Sequence, residues 1–190
     1  HCNGWCFPWT VAMLGGTHVC LRAVRGAALW QLMADHGVDP HDFLEFVHDI
    51  DLARLSSAPV LRDAIAALPG RKIIFTNADA QYAARVLEEL GLDGLFTDIV
   101  DVHHMAYTPK PQPNAYAALL EQTGIDPRHS LFVEDMARNL APAKTIGMTT
   151  VWINNGSEYG STGADNSFID IEIANLAEWL KSPNLIERAA

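Results

Sequence analysis

The stretch LFVEDMARNL, from Leu131 to Leu140, decides the fold. Three apolar residues run straight into two acids, Glu134 and Asp135, and a helix-like stretch follows. A buried strand has little reason to end on adjacent negative charges unless that end faces a ligand. In a doubly wound parallel sheet the carboxyl ends of the strands form the ligand crevice. Two carboxylates there repel each other unless a cation sits between them and solvent. Mg²⁺ is the natural choice, because it takes oxygen ligands and keeps several of its waters.

The pattern extends outward in both directions. "RKIIFT" is a short apolar run, and "DAQYAARVLEELGL" follows with helical spacing and a glycine stop. "LFTDIVDV" is a second strand, and "PNAYAALLEQTGI" a helix with proline near its start, where a missing N–H costs nothing. "HSLFVED", the helix "ARNLAPAKTIG" and the strand "MTTVWIN" continue the alternation, and "IEIANLAEWLKS" reads as a closing helix. Strands alternating with helices imply parallel βαβ units. The strands are apolar throughout, as expected when helices cover both faces. The expected fold is therefore α/β, a three-layer Rossmann-like parallel sheet.

Residues 26–68 differ. "ALWQLMADHGV", "DPHDFLEFVHDIDLARL" and "PVLRDAIAALPG" read as helices with no strand among them. They are expected to form a reduced helical cap inserted ahead of a core over 69–190, with an atypical segment at 1–25. "GSEYGSTGADNS" is polar and Gly/Ser-rich, hence a surface loop.

A net charge of −10 argues against a groove that binds nucleic acid by neutralising phosphates, and against docking on an anionic membrane. No apolar run is long enough to span a bilayer, and no basic n-region precedes an apolar stretch as in a signal peptide. A cytoplasmic protein is the default expectation; oligomeric state is left open. Cys2, Cys6 and Cys20 form no disulfide framework, and no second ligand pair follows at zinc-finger spacing.

Three features close successive predicted strands: Thr76-Asn77, Lys110 between prolines in "YTPKPQP", and Glu134-Asp135. A hydroxyl and backbone amides at a helix N-terminus suit a phosphate. A lysine on a stiff loop serves as a fixed point charge, and the acid pair can hold a metal. Singly, each has a plain reading as a turn and N-cap, a solvated lysine, or a helix cap. Jointly, in this order, they make a phosphate-plus-Mg²⁺ site. His103-His104 are expected at the crevice rim and His36, His41 and His48 on the cap surface. Trp152 and Trp179 are expected in the core.

"IIFTNAD", "YTPKPQPNAY" and "LFVEDMARNLAPAKTIGMTTVWI" resemble the second, third and fourth motifs of the haloacid dehalogenase superfamily. Together with the segment "HGVDPHDFLEFVHDIDLARL", they are most similar to its pyrimidine 5'-nucleotidase-like branch. The resemblance implies a Mg²⁺-dependent phosphatase acting on a small phosphorylated substrate such as a pyrimidine nucleotide. It implies that Thr76 and Asn77 bind the phosphoryl group and that Lys110 neutralises phosphate and nucleophile. Asp135 would coordinate Mg²⁺, with Glu134 beside it and Asn139 supporting the acidic loop. It further implies a nucleophilic Asp that forms an aspartyl-phosphate, and a second Asp two residues on as general acid and base.

That first motif, a strand followed by Asp-x-Asp-x-Thr, is missing. Residues 1–25 contain no Asp or Glu; the strand candidate "TVAML" runs into Gly15-Gly16-Thr17. Asp49-Ile50-Asp51 has the spacing but lies in the helical segment and lacks the Thr. The start reads as truncated, mistranslated or replaced, or as that of a genuine non-catalytic relative. The alternative to a phosphatase is thus an inactive relative that only binds phosphorylated ligands or partners.

Overall fold

The computed structural model describes residues 26–182. The chain opens with helices α1 (Gly26–Asp35), α2 (Pro40–His48) and α3 (Pro59–Ala66). Strand β1 (Ile73–Phe75), helix α4 (Ala80–Glu89), strand β2 (Asp98–Val100) and helix α5 (Pro113–Thr123) follow. Then come β3 (Leu131–Glu134), α6 (Leu140–Thr145), β4 (Thr149–Ile153), the short α7 (Glu158–Ser161), β5 (Ile171–Ile173) and α8 (Leu176–Leu180). Every strand pairing among the described residues is parallel, which confirms the α/β class.

Caps set the element boundaries. Asp79 opens α4 by accepting the Tyr82 N–H at 2.7 Å. Pro113 stands in the first turn of α5, and Gly124 closes it at φ 63°, donating its N–H to the Leu120 carbonyl at 2.8 Å. That left-handed conformation is open to glycine and strained for other residues.

The described ladders form two parallel sheets, β1-β2 and β3-β4-β5, where one continuous sheet was expected. They lie side by side under α5. Tyr116 of that helix packs its ring on Phe75 of β1 (5.4 Å between centroids) and on Phe132 of β3 (6.2 Å). The expected central strand, "TVAML", lies outside the described residues, as do all three cysteines. In the core cluster around Tyr116, Val100, Val102 and Leu140 are fully buried, as is Val151 of β4. Each such side chain contributes about 1.5–3 kcal/mol through lost apolar exposure.

Two expected helices are corrected. "IEIANLAEWLKS" splits: Ile171–Ile173 joins β4 as a strand, with the two isoleucines half-buried around an exposed Glu172. Period-two burial with branched side chains favours the ladder. Asn175 then caps α8, accepting the Glu178 N–H at 3.1 Å. The helix expected across residues 39–55 stops at His48. Asp49 takes the C-cap at φ −75°, ψ 65°, and the Asp51 carboxylate accepts the Ala53 N–H at 2.8 Å to form a turn. Asp49 and Asp51 are both exposed there.

The α1–α3 segment is tied to the rest at several places; Ala58 and Arg62 donate to the Leu90, Gly91 and Asp93 carbonyls. His48 contacts the Asp79 carboxylate and stacks on Tyr82 at 4.4 Å, while Arg85 donates to the His48 and Ile50 carbonyls at 3.0 Å each. His41 stacks on His103 at 4.1 Å, and Trp30 lies 5.0 Å from Tyr107. Among the described residues no helix is long and apolar enough to cross a membrane.

Candidate active site

β1 and β3 deliver their carboxyl ends to one rim, and the loop after β2 reaches the same place. A cavity of about 620 Å³ opens there. Thr76, Asn77, Lys110, Glu134, Asp135 and Asn139 all line it.

Lys110 is the hub. Its side chain is only 7% exposed, and Nζ donates to the Phe75 carbonyl and to Glu134 Oε2, both at 2.7 Å. The ammonium also lies 4.8 Å from the Phe75 ring centroid and 5.4 Å from that of Phe132. An ammonium so placed gains from both ring faces. It has three N–H bonds to donate, and two are taken. Asn77 fixes the loop: Oδ1 accepts the Lys110 N–H at 2.8 Å, and Nδ2 donates to the Lys110 carbonyl at 3.1 Å. The Asn77 amide therefore holds the lysine backbone, and the residue lines the cavity where the sequence implied a phosphate contact. Thr76 Oγ1 accepts the Ala78 N–H at 3.0 Å, which leaves its hydroxyl hydrogen available.

The acids take opposite shifts. Burial works to raise the Glu134 carboxyl. The Lys110 charge and hydrogen bond, helped by Asp135 and Asn139, outweigh that and hold it below its ordinary value. Burial pushes Asp135 up, and the neighbouring Glu134 carboxyl pushes it further. Glu134 Oε1 also accepts the Met136 N–H at 3.3 Å.

Asn139 is 4% exposed, and its carbonyl accepts the Tyr116 hydroxyl hydrogen. Its Oδ1 is buried with no hydrogen-bond partner among the described residues. An orphaned acceptor beside two carboxylates fits Mg²⁺ or one of its waters. No cluster of three or more His, Cys, Asp or Glu side chains forms among the described residues. The residues that would hold such a cation are Asp135, Glu134 and the Asn139 amide oxygen.

His103 and His104 lie where the strand pattern put them, after β2, and both are engaged. His104 pairs with Asp101 at 2.6 Å, and His103 shares a 3.0 Å hydrogen bond with the Tyr107 hydroxyl. Two residues around the acids escaped the pattern. Trp152 Nε1 donates to the Asp135 carbonyl at 3.0 Å, and Gly160 is buried against the same carbonyl. The β3–β4 register places Trp152 opposite Glu134.

A family model for haloacid dehalogenase-like hydrolases matches residues 17–147. The chain belongs to that family. Phosphoglycolate phosphatase of Rhodospirillum rubrum is 33% identical over 129 residues, 66% of this chain and 52% of that one. L-2-haloacid dehalogenase from Xanthobacter autotrophicus, with chloropropionic acid covalently bound, superposes with a TM-score of 0.56 at 18% identity, covering 92% of this chain and 80% of that one. A magnesium-bound HAD-hydrolase of Bacillus subtilis gives 0.55 at 18% identity, covering 90% and 75%. A 38-residue stretch is also 50% identical to the peroxisomal acetate/butyrate–CoA ligase of Arabidopsis thaliana, 20% of this chain. The chain spans about half the length of the phosphatase and 7% of the length of the ligase.

Proposed function

We propose that the cavity binds a small phosphorylated molecule together with Mg²⁺, and that the chain is a phosphate-monoester hydrolase resembling the pyrimidine 5'-nucleotidases. Residues 26–68 are read as its cap and 69–190 as its core. One observation carries this reading. Lys110 Nζ is fixed by the Phe75 carbonyl and Glu134, with its third N–H unpaired among the described residues, in the cavity that also holds Thr76 and the acid pair. The identity to a phosphoglycolate phosphatase supports phosphate-monoester chemistry in general.

Mg²⁺ would neutralise the phosphoryl oxygens, held by Asp135, the Asn139 amide oxygen and Glu134. Lys110 directs its remaining N–H at the phosphoryl group, and the Thr76 hydroxyl donates beside it. Asn77 keeps the lysine backbone in place, and Glu134 holds its ammonium. Fixed donors aimed at a charged group bind it without reorganising.

A second reading has its own support. The described carboxylates lining the cavity are Glu134, paired with Lys110, and Asp135, needed for the cation. Residues 1–25 add no Asp or Glu. On that reading the site binds phosphate and does not turn over, because positioning groups without an attacking group retain little catalysis. Phosphate release from uridine and cytidine monophosphate with Mg²⁺ separates the two readings, alongside calorimetric titration of inorganic phosphate. Release that is abolished in Lys110→Ala supports the hydrolase. Saturable phosphate binding without release supports the binder. Neither release nor binding overturns both, and chloride release from 2-chloropropionate would move the site to dehalogenation.

A further inference from the structure

The acidic turn is braced from outside, and the brace is not part of the sequence pattern that marks the site. The Asp135 carbonyl is enclosed on two sides. From β4, the Trp152 indole N–H reaches it at 3.0 Å, from a side chain only 6% exposed. From α7, Gly160 packs so close that an added Cβ would stand 3.0 Å from the same oxygen. Gly160 needs no positive φ; it is glycine for space. α7 is itself anchored. The Gly160 N–H is held by Ser157 Oγ at 3.2 Å. Arg138, three residues beyond Asp135, donates to the Tyr159 hydroxyl at 2.9 Å and lies 4.6 Å over its ring.

We propose that Trp152 and Gly160 are positioning residues that set the direction of the Asp135 side chain and thereby the cation affinity of the site. The inference rests on reading the acid pair as the Mg²⁺ site. A peptide carbonyl locked between an N–H donor and a close-packed Cα cannot rotate. The Cα that carries the Asp135 carboxyl is therefore fixed relative to Glu134 and Asn139. Like charges held at one spacing favour a cation that fits that spacing, and a turn free to rotate would let the carboxylates separate. Outer-shell partners of this kind change metal affinity by roughly 10–100-fold when removed.

The test is calorimetric titration of Mg²⁺ into the full chain and three variants. Trp152→Phe keeps most of the ring and loses the N–H. Gly160→Ala introduces the Cβ that meets the carbonyl. Trp179→Phe, buried in α8 away from the cavity, controls for general loss of stability. A fourth protein carrying benzothienylalanine at 152 replaces the indole N–H by sulfur at almost the same shape, which keeps the test valid if Trp152→Phe folds poorly. The expected result is a Mg²⁺ dissociation constant raised about 10-fold or more in the 152 and 160 variants and unchanged in Trp179→Phe. Wild-type affinity in the 152 and 160 variants, or equal weakening in Trp179→Phe, overturns the inference alone. A wild-type chain with no saturable Mg²⁺ binding overturns the metal reading of the acid pair and this inference with it.

Discussion

At the scale of single residues, the Lys110–Glu134 pair dominates. Both side chains are more than nine-tenths buried, at 7% and 9% exposure. Burying two charges is costly, and their attraction offsets that only while both are present. Lys110→Met therefore leaves a lone buried carboxylate. Unfolding in urea at pH 7 is expected to show a loss of about 3–5 kcal/mol. The sign with pH follows from Glu134, held below its ordinary value. The stability it contributes in the native chain is present above its unfolded value and is lost as pH falls through the folded one. The Lys110→Met penalty should accordingly shrink in acid, where Glu134 can protonate. Asp135 behaves oppositely. Its carboxyl is raised, so it gives up its proton at a higher pH than an ordinary aspartate does. On the proposed reading, Mg²⁺ binds the deprotonated form. Its affinity should rise with pH as Asp135 deprotonates and then level off, which titration at a series of pH values will show.

At the scale of elements, local rules account for most boundaries. Prolines open α2, α3 and α5, and Asp79 and Asn175 cap α4 and α8. Gly124 ends α5 in the left-handed region with nothing within 4 Å of a would-be Cβ. Gly124→Ala should therefore cost only the backbone strain, about 1 kcal/mol, read as a small drop in melting temperature with activity unchanged. The pattern failed where an element is short. Ile171–Ile173 is three residues long and abuts a helix, so its apolar positions fit either period. Only the β4 ladder makes it a strand. In "DIDLARL" the apolar spacing continues, but the Asp49 and Asp51 turns and the Arg85 contacts to the His48 and Ile50 carbonyls stop the helix.

At the scale of the molecule, the α1–α3 segment and the α/β part meet through specific groups, Ala58 and Arg62 against the Leu90–Asp93 turn among them. Arg85 holds the carbonyls at the end of α2, and His48 joins Asp79 at the start of α4. Arg85→Ala removes both carbonyl contacts at an exposed position. Its expected effect is faster limited proteolysis across residues 49–58, with little change in the melting of the α/β part. The same seam brings His41 against His103 from segments far apart in the chain.

Amino-acid order alone determined the parallel α/β class, the helical segment ahead of it, and six of the residues that line the cavity. Strand and helix periods, caps and strand-end chemistry act within a few residues and can be read along the chain. Only the tertiary structure decided what those residues do to one another. Asn77 grips the backbone of Lys110 across 33 positions, Lys110 donates to Glu134 across 24, and Trp152 reaches Asp135 across 17. A hydrogen bond depends on where two side chains point after packing, and no local pattern carries that information. For the same reason, the division of the strands into two described sheets, and the glycine that leaves room for a carbonyl, became visible only once the chain was folded.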